Sequence, residues 1–74
     1  MRKYRNGDNV RITYEGQTVE GRVFLASDNG LSLMLQFEAL LSGFAGCMPV
    51  LAEAPAGPWC DLIRRDPVGL ELMP

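Results

Sequence analysis

Histidine is absent from this 74-residue chain and lysine occurs once, at Lys3. Imidazole is the usual general base at neutral pH and a common zinc ligand, so its absence removes the commonest routes to both chemistries. Cysteine is scarce too. Cys47 and Cys60 are too few for a disulfide framework, and with no histidine to deprotonate them they read as small hydrophobes rather than nucleophiles. No phosphate-cradling glycine loop or nucleophile elbow is present. Asp61, Asp66 and Glu71 offer carboxylates, but they flank an expected turn, where such groups are normally solvated. These absences predict a protein that is not an enzyme and holds no metal or cofactor.

Long apolar runs are missing as well. Nothing approaches the ~20 residues of a membrane helix, and the charged start from Arg2 to Asp8 lacks the apolar centre of a secretory leader. The expected location is therefore cytoplasmic. The net charge of −2 argues against a protein that coats nucleic acid. Arg2, Lys3, Arg5 and Arg11 nevertheless crowd the first eleven residues, and Arg64-Arg65 form a second basic pair. These are the candidates for gripping a phosphate or a carboxylate.

What the chain does have is alternation. Val10, Ile12 and Tyr14 alternate with Arg11, Thr13 and Glu15, which describes a strand with one buried face. A type II′ turn at Gly16-Gln17 would set Tyr14 against Val19, Ile12 against Gly21 and Val10 against Val23. The stretch from Thr18 to Phe37 reads as two further strands around Asp28-Asn29-Gly30. A three-residue loop there, with Gly30 left-handed, pairs Leu25 with Leu33, Val23 with Leu35 and Gly21 with Phe37. Both turns place the same apolar face inward, which predicts a three-stranded meander. Gly21 lies mid-strand on that inward face, where it would serve a bend that curls the sheet.

The outer face of the second hairpin carries Ala26, Phe24, Arg22 and Glu20 against Ser32, Met34, Gln36 and Glu38. Phe24 and Met34 are unusual company for a solvated surface, and with Ala26 they are the candidate protein interface. The competing expectation is that the second half folds over them. Leu33, Met34, Phe37, Leu40 and Leu41 also fall at helical spacing, so the period over 31–41 is ambiguous; strand is preferred for 31–37, with one helical turn over 38–42. Phe44, in a glycine-rich stretch, is expected to plug a barrel end. Met48 to Ala52, Trp59 to Ile63 and Val68 to Leu72 supply further short strands, with Pro49 restricted to an edge or a bulge. Cys47 and Cys60 are not neighbours in that arrangement and are expected to stay unpaired.

The expected fold is thus all-β: a single domain over residues 1–74, an antiparallel barrel of five to six strands. A chain this short buries only about 60% of its unfolded surface. An apolar fraction of 47% exceeds what so small a barrel can hide, which predicts a homo-oligomer.

The run from Gly7-Asp8 through Val10, Ile12, Gly16, Val19, Gly21 and Val23 to Leu31, Leu33 and Leu35 resembles the opening strands of SH3-like and Sm-like small barrels. The likeness covers the first half of the chain and rests on glycines and aliphatic residues. An Sm-like membership implies a ring that binds single-stranded RNA, with Asp28 and Asn29 as the only loop counterparts of the family's RNA contacts. The motif Gly7-Asp8-x-Val10-Arg11 is similar to the start of plasmid-borne type II dihydrofolate reductases, which build one active site at the centre of a tetramer. That likeness implies an enzyme whose site is shared between subunits. The second half resembles only short uncharacterised bacterial proteins of mobile gene cassettes and phages.

Overall fold

In the computed structural model, which describes residues 4–54 and 58–74, the chain forms six strands and no helix among the described residues. They are β1 (Asn9–Tyr14), β2 (Gln17–Ala26), β3 (Ser32–Leu41), β4 (Phe44–Ala52), β5 (Trp59–Asp61) and β6 (Pro67–Leu72). Each strand pairs antiparallel with the next, and β6 returns to β1, so the sheet closes into a barrel. Successive turns therefore alternate between the two barrel ends. The β1–β2, β3–β4 and β5–β6 turns share one end, and the β2–β3 and β4–β5 connections share the other.

Period-2 alternation fills the interior. Val10, Ile12, Tyr14, Val23, Leu33, Leu35, Phe37, Leu41, Met48, Val50, Trp59 and Val68 are all buried. The alternation of β3 continues through Leu41, so the residues expected to form a helical turn over 38–42 are strand. Phe37 and Leu41 point into the barrel, and Ser42-Gly43, with φ of +47° and +94°, makes a two-residue turn of type I′ character directly after them. Pairing with β4 outweighs the helix propensity of Leu, Glu and Ala in this stretch. β4 begins four residues earlier than the sequence suggests. Phe44 closes the barrel end as expected, edge-on to Tyr14 with ring centroids 5.8 Å apart.

The first hairpin differs in register. Glu15 and Gly16 both have positive φ, +49° and +80°, so they form the two-residue turn, and Tyr14 pairs with Gln17. Val10 consequently faces Gly21 instead of Val23. This type I′ turn matches the right-handed twist of the flanking strands. Its register is two residues from the expected one, so every side chain keeps its face and the predicted core survives.

The second hairpin agrees at Gly21–Phe37 and Val23–Leu35, then departs. A β-bulge sets both Phe24 and Leu25 against Met34, and the connecting loop runs from Ser27 to Leu31 instead of three residues. A bulge turns its two residues to the same side of the sheet. Leu25 therefore points outward with Phe24, and Ala26 packs against the core. The expectation that Ala26 lies on the outer face is corrected by that one inserted residue.

Pro49 sits where its missing amide does no harm. Its carbonyl accepts from Leu62 N at 3.0 Å, just past the last residue of β5, and the amide of the same residue would point the same way. The restriction to an edge is met because β5 is only three residues long.

Gly21 leaves no room for a side chain. A Cβ there would lie 2.3 Å from Gln36 O and 3.1 Å from both Ile12 Cδ1 and Phe37 Cβ. The contact is with backbone and cannot be relieved by turning a side chain. Gly21→Ala is expected to lower stability by about 2 kcal/mol or more, as overpacking does. Urea unfolding followed by tryptophan fluorescence measures it, and an unchanged midpoint would show that the sheet relaxes freely here.

Candidate functional site

Three features could carry function: the outer face over β2–β5, a buried carboxylate under the β5–β6 turn, and the basic residues. The outer face is built by register. Phe24 and Leu25 lie against Met34, Met34 pairs with Pro49, and Pro49 is tied to Leu62 through the hydrogen bond above. The adjoining row is Ser32, Leu51 and Cys60, also register partners. None of these eight side chains is charged. Phe24, Leu25 and Leu62 are 50%, 54% and 46% exposed, and Ile63 beside them reaches 71%. Met34, Pro49 and Leu51 are half-buried. Among the described residues, the second half does not cover the face. It extends it, since β4 and the turn after β5 contribute Pro49, Leu51, Leu62 and Ile63.

Sequence reasoning found Phe24 and Met34 here but missed the rest. The one signal for Leu25 was Phe24 itself, an apolar residue out of alternation, which is what a bulge produces. Cys47 and Cys60 are both free, Cys47 exposed and Cys60 half-buried.

Asp61 is fully buried and organises the turn that displays Leu62 and Ile63. Its Oδ1 accepts from the amides of Ile63, at 3.0 Å, and Arg64, at 2.5 Å; its Oδ2 accepts from Asp66 N at 3.1 Å and from the Tyr14 hydroxyl at 2.9 Å. Burial pushes this carboxyl up, but the donations from Arg64 N, Tyr14 and the Asp66 and Ile63 amides outweigh it, leaving it below its ordinary 3.8. Tyr14 moves the other way. Burial first, then its bond to the Asp61 carboxylate, raise it to about 12, so it stays a donor at all ordinary pH. The arrangement is saturated: four donors on one carboxylate leave no lone pair aimed at a substrate. Among the described residues no group of His, Cys, Asp and Glu side chains is placed to hold a metal ion.

The basic candidates are dispersed. Arg2 and Lys3 lie outside the described residues. Arg5 is exposed near the β2–β3 end, its amide donating to Asp8 Oδ2 at 2.9 Å. Arg11 is on the barrel wall, paired with Glu71 at 2.9 Å. Arg64 and Arg65 are at the opposite end. Arg64 lies over the Phe44 ring, 5.3 Å from its centroid, and 3.8 Å from Glu15, while Arg65 is exposed with φ of +63°. In the β2–β3 loop Asp28 is exposed, but Asn29 Oδ1 is occupied by Ser27 Oγ at 2.7 Å and Leu31 N at 3.0 Å. Asn29 thus builds its own loop.

A shallow cleft of about 810 Å³ lies elsewhere on the surface, lined by residues that include Asn9, Glu20, Arg22 and Glu38. Its Arg22 is already bonded to Gln36 Oε1 at 3.0 Å. No helix among the described residues is long and apolar enough to cross a membrane. No protein-family model, curated protein or solved structure matches the chain.

Because Asp61 is held below 3.8, it stabilises the fold fully above that pH, and the contribution is lost as the pH falls through the folded value. Thermal unfolding followed from pH 7 to pH 2 is expected to show a steep loss in the acid limb. Asp61→Asn lowers the midpoint at neutral pH and flattens that limb; an acid limb as steep as the wild type's would rule Asp61 out as its source.

Proposed function

We propose that the chain is a self-associating interaction module of the small-barrel kind, whose uncharged outer face over β2–β5 meets a second copy of itself. The observation that carries this reading is the continuous row Leu25–Met34–Pro49–Leu62, apolar across four successive segments and bordered by Phe24, Leu51 and Ile63. Contiguous exposed apolar surface of this sort marks an interaction site. Aromatic and methionine side chains are the types enriched at interface centres. The occupant is a second copy for two reasons. The chain has a small core of its own and a large apolar share, so joining copies supplies the burial it lacks. An uncharged patch also meets its twofold mate without like charges facing each other.

Self-association is preferred over RNA binding by an Sm-like ring because the described basic residues are split between opposite ends of the barrel and its wall. Two of them, Arg11 and Arg64, already lie near carboxylates. It is preferred over a shared enzyme site because the buried carboxylate has no unused lone pair.

Leu25→Glu and Leu62→Glu place a charge in the row without touching the core. Each is expected to shift the solution mass, measured by light scattering on a sizing column, from that of an assembly to a smaller species, with the β-sheet circular dichroism unchanged. A wild-type protein that runs as a single chain at high concentration would overturn the reading.

A further inference from the structure

β4 runs well past β5. Of its nine residues only Val50, Leu51 and Ala52 pair with β5, and Pro49 is bonded to the residue that follows it. The two sides of β4 can be assigned residue by residue. Pro49 faces the β5 side through its carbonyl, so Met48 faces β3 and Cys47 faces the β5 side again. At the other end Phe44 closes the two-residue turn onto Leu41, so Ala45 faces the β5 side as well. Ala45 and Cys47 thus direct an N–H and a C=O each away from β3, towards a position no strand occupies. The hydrogen bonds of the neighbouring turn are used elsewhere, on Asp61, Asp66 and Pro49. Among the described residues these four backbone groups have no partner. Both residues are exposed.

We infer that this short length of β4 is a strand-pairing edge, and that its occupant is the same edge of a second copy, antiparallel about Gly46. The symmetry of the groups selects that partner. With the twofold axis at Gly46, Ala45 opposes Cys47 of the partner subunit and Cys47 opposes Ala45 of the partner subunit. Each is then a hydrogen-bonded pair, and all four outward groups on both edges are satisfied at once. The side chains of the paired residues are a methyl, a hydrogen and a thiol; the charged side chain beside them is Arg64, which lies over the Phe44 ring and against Gly43 and would have to lean aside. An exposed edge is normally blunted by charge or proline. Here proline appears only at Pro49, and no charged residue lies between it and Phe44. Gly46 has φ of +83°, which twists the strand and confines the pairing to these residues. The seam is therefore short and its assembly concentration-dependent. This contact goes beyond the outer-face contact and does not rest on it, since it uses backbone groups of β4 and not the apolar side chains of that face, which Cys47 adjoins at Pro49.

Amide hydrogen exchange over a concentration series, with mass measured in parallel, tests the edge. It is run in the Leu25→Glu variant, so that the outer-face contact is removed first. The expected result is a doubling of mass at high concentration, with exchange at the Ala45 and Cys47 amides slowing at least tenfold between the dilute and concentrated samples. Ala45→Pro in the same background removes one outward N–H that the folded monomer does not use, and is expected to abolish the doubling with the circular dichroism intact. The inference is overturned if Leu25→Glu stays a single chain at millimolar concentration, or if the mass doubles while those two amides exchange as in dilute solution. Should Leu25→Glu leave the wild-type mass unchanged while the two amides are protected, the outer-face reading fails and the edge stands.

Discussion

Closing six strands into a barrel brings neighbouring strands close together, and at Gly21 they come too close for any side chain. The position has no room for a Cβ, because the backbone carbonyl of Gln36 occupies the space. Ile12 of β1 and Phe37 of β3 each come within 3.1 Å of the same position, so side chains from both neighbouring strands fill the space a Gly21 side chain would take. Curvature appears as irregularity in the ladders. The bulge at Phe24-Leu25 lies next to Val23 on β2, and a second register shift lies between Gln36 and Leu40 on β3. Bulges of this kind increase the local twist and bend the strand. The apolar outer face is a by-product of that curvature, since the inserted residue is what turns Leu25 to the outside.

The end of the barrel opposite the β2–β3 loop is governed by one carboxylate. Asp61 would be costly to bury unpaired, and four donors converge on it from Tyr14 and the following turn. Their effect is to hold Leu62 and Ile63 in a fixed, exposed position. Electrostatics inside the barrel thereby determines what apolar surface is displayed outside it. The same turn ends β5 after three residues, which leaves the first half of β4 paired with β3 alone. One buried group thus shapes both the apolar outer face and the strand edge.

The parts of this architecture legible in the chain were those set by period-2 alternation and by glycine. Val10, Ile12, Tyr14, Val23, Leu33, Leu35 and Phe37 alternate, and alternation places a residue on a face whatever the register. The turn at Glu15-Gly16 shows the limit: the register of the first hairpin slips by two residues and the core is unaffected, because an even shift preserves the faces. An odd insertion does not. The single extra residue at Phe24 moves Leu25 out and Ala26 in, and its one trace in the sequence is that Phe24 falls out of alternation. The helical spacing of Leu33, Met34, Phe37, Leu40 and Leu41 was a true periodicity that β4 overrode by pairing with both ends of β3, Ser32 to Gln36 and Leu40 to Leu41.

What the sequence by itself determined is the class of fold and the membership of most of the core, since side-chain alternation and turn residues are local properties. It also determined the lack of histidine chemistry, which is a matter of composition. Tertiary structure alone decided which apolar residues join into a surface. Leu25, Met34, Pro49 and Leu62 are spread over 38 positions of the chain and become neighbours only through three successive strand pairings. It alone decided that Asp61 is buried rather than solvated, because the four donors that make burial affordable come from Tyr14, 47 residues away, and from a turn that exists only when β5 and β6 pair. Long-range pairing has no signature in a window of residues, and that is why the surface had to be seen folded.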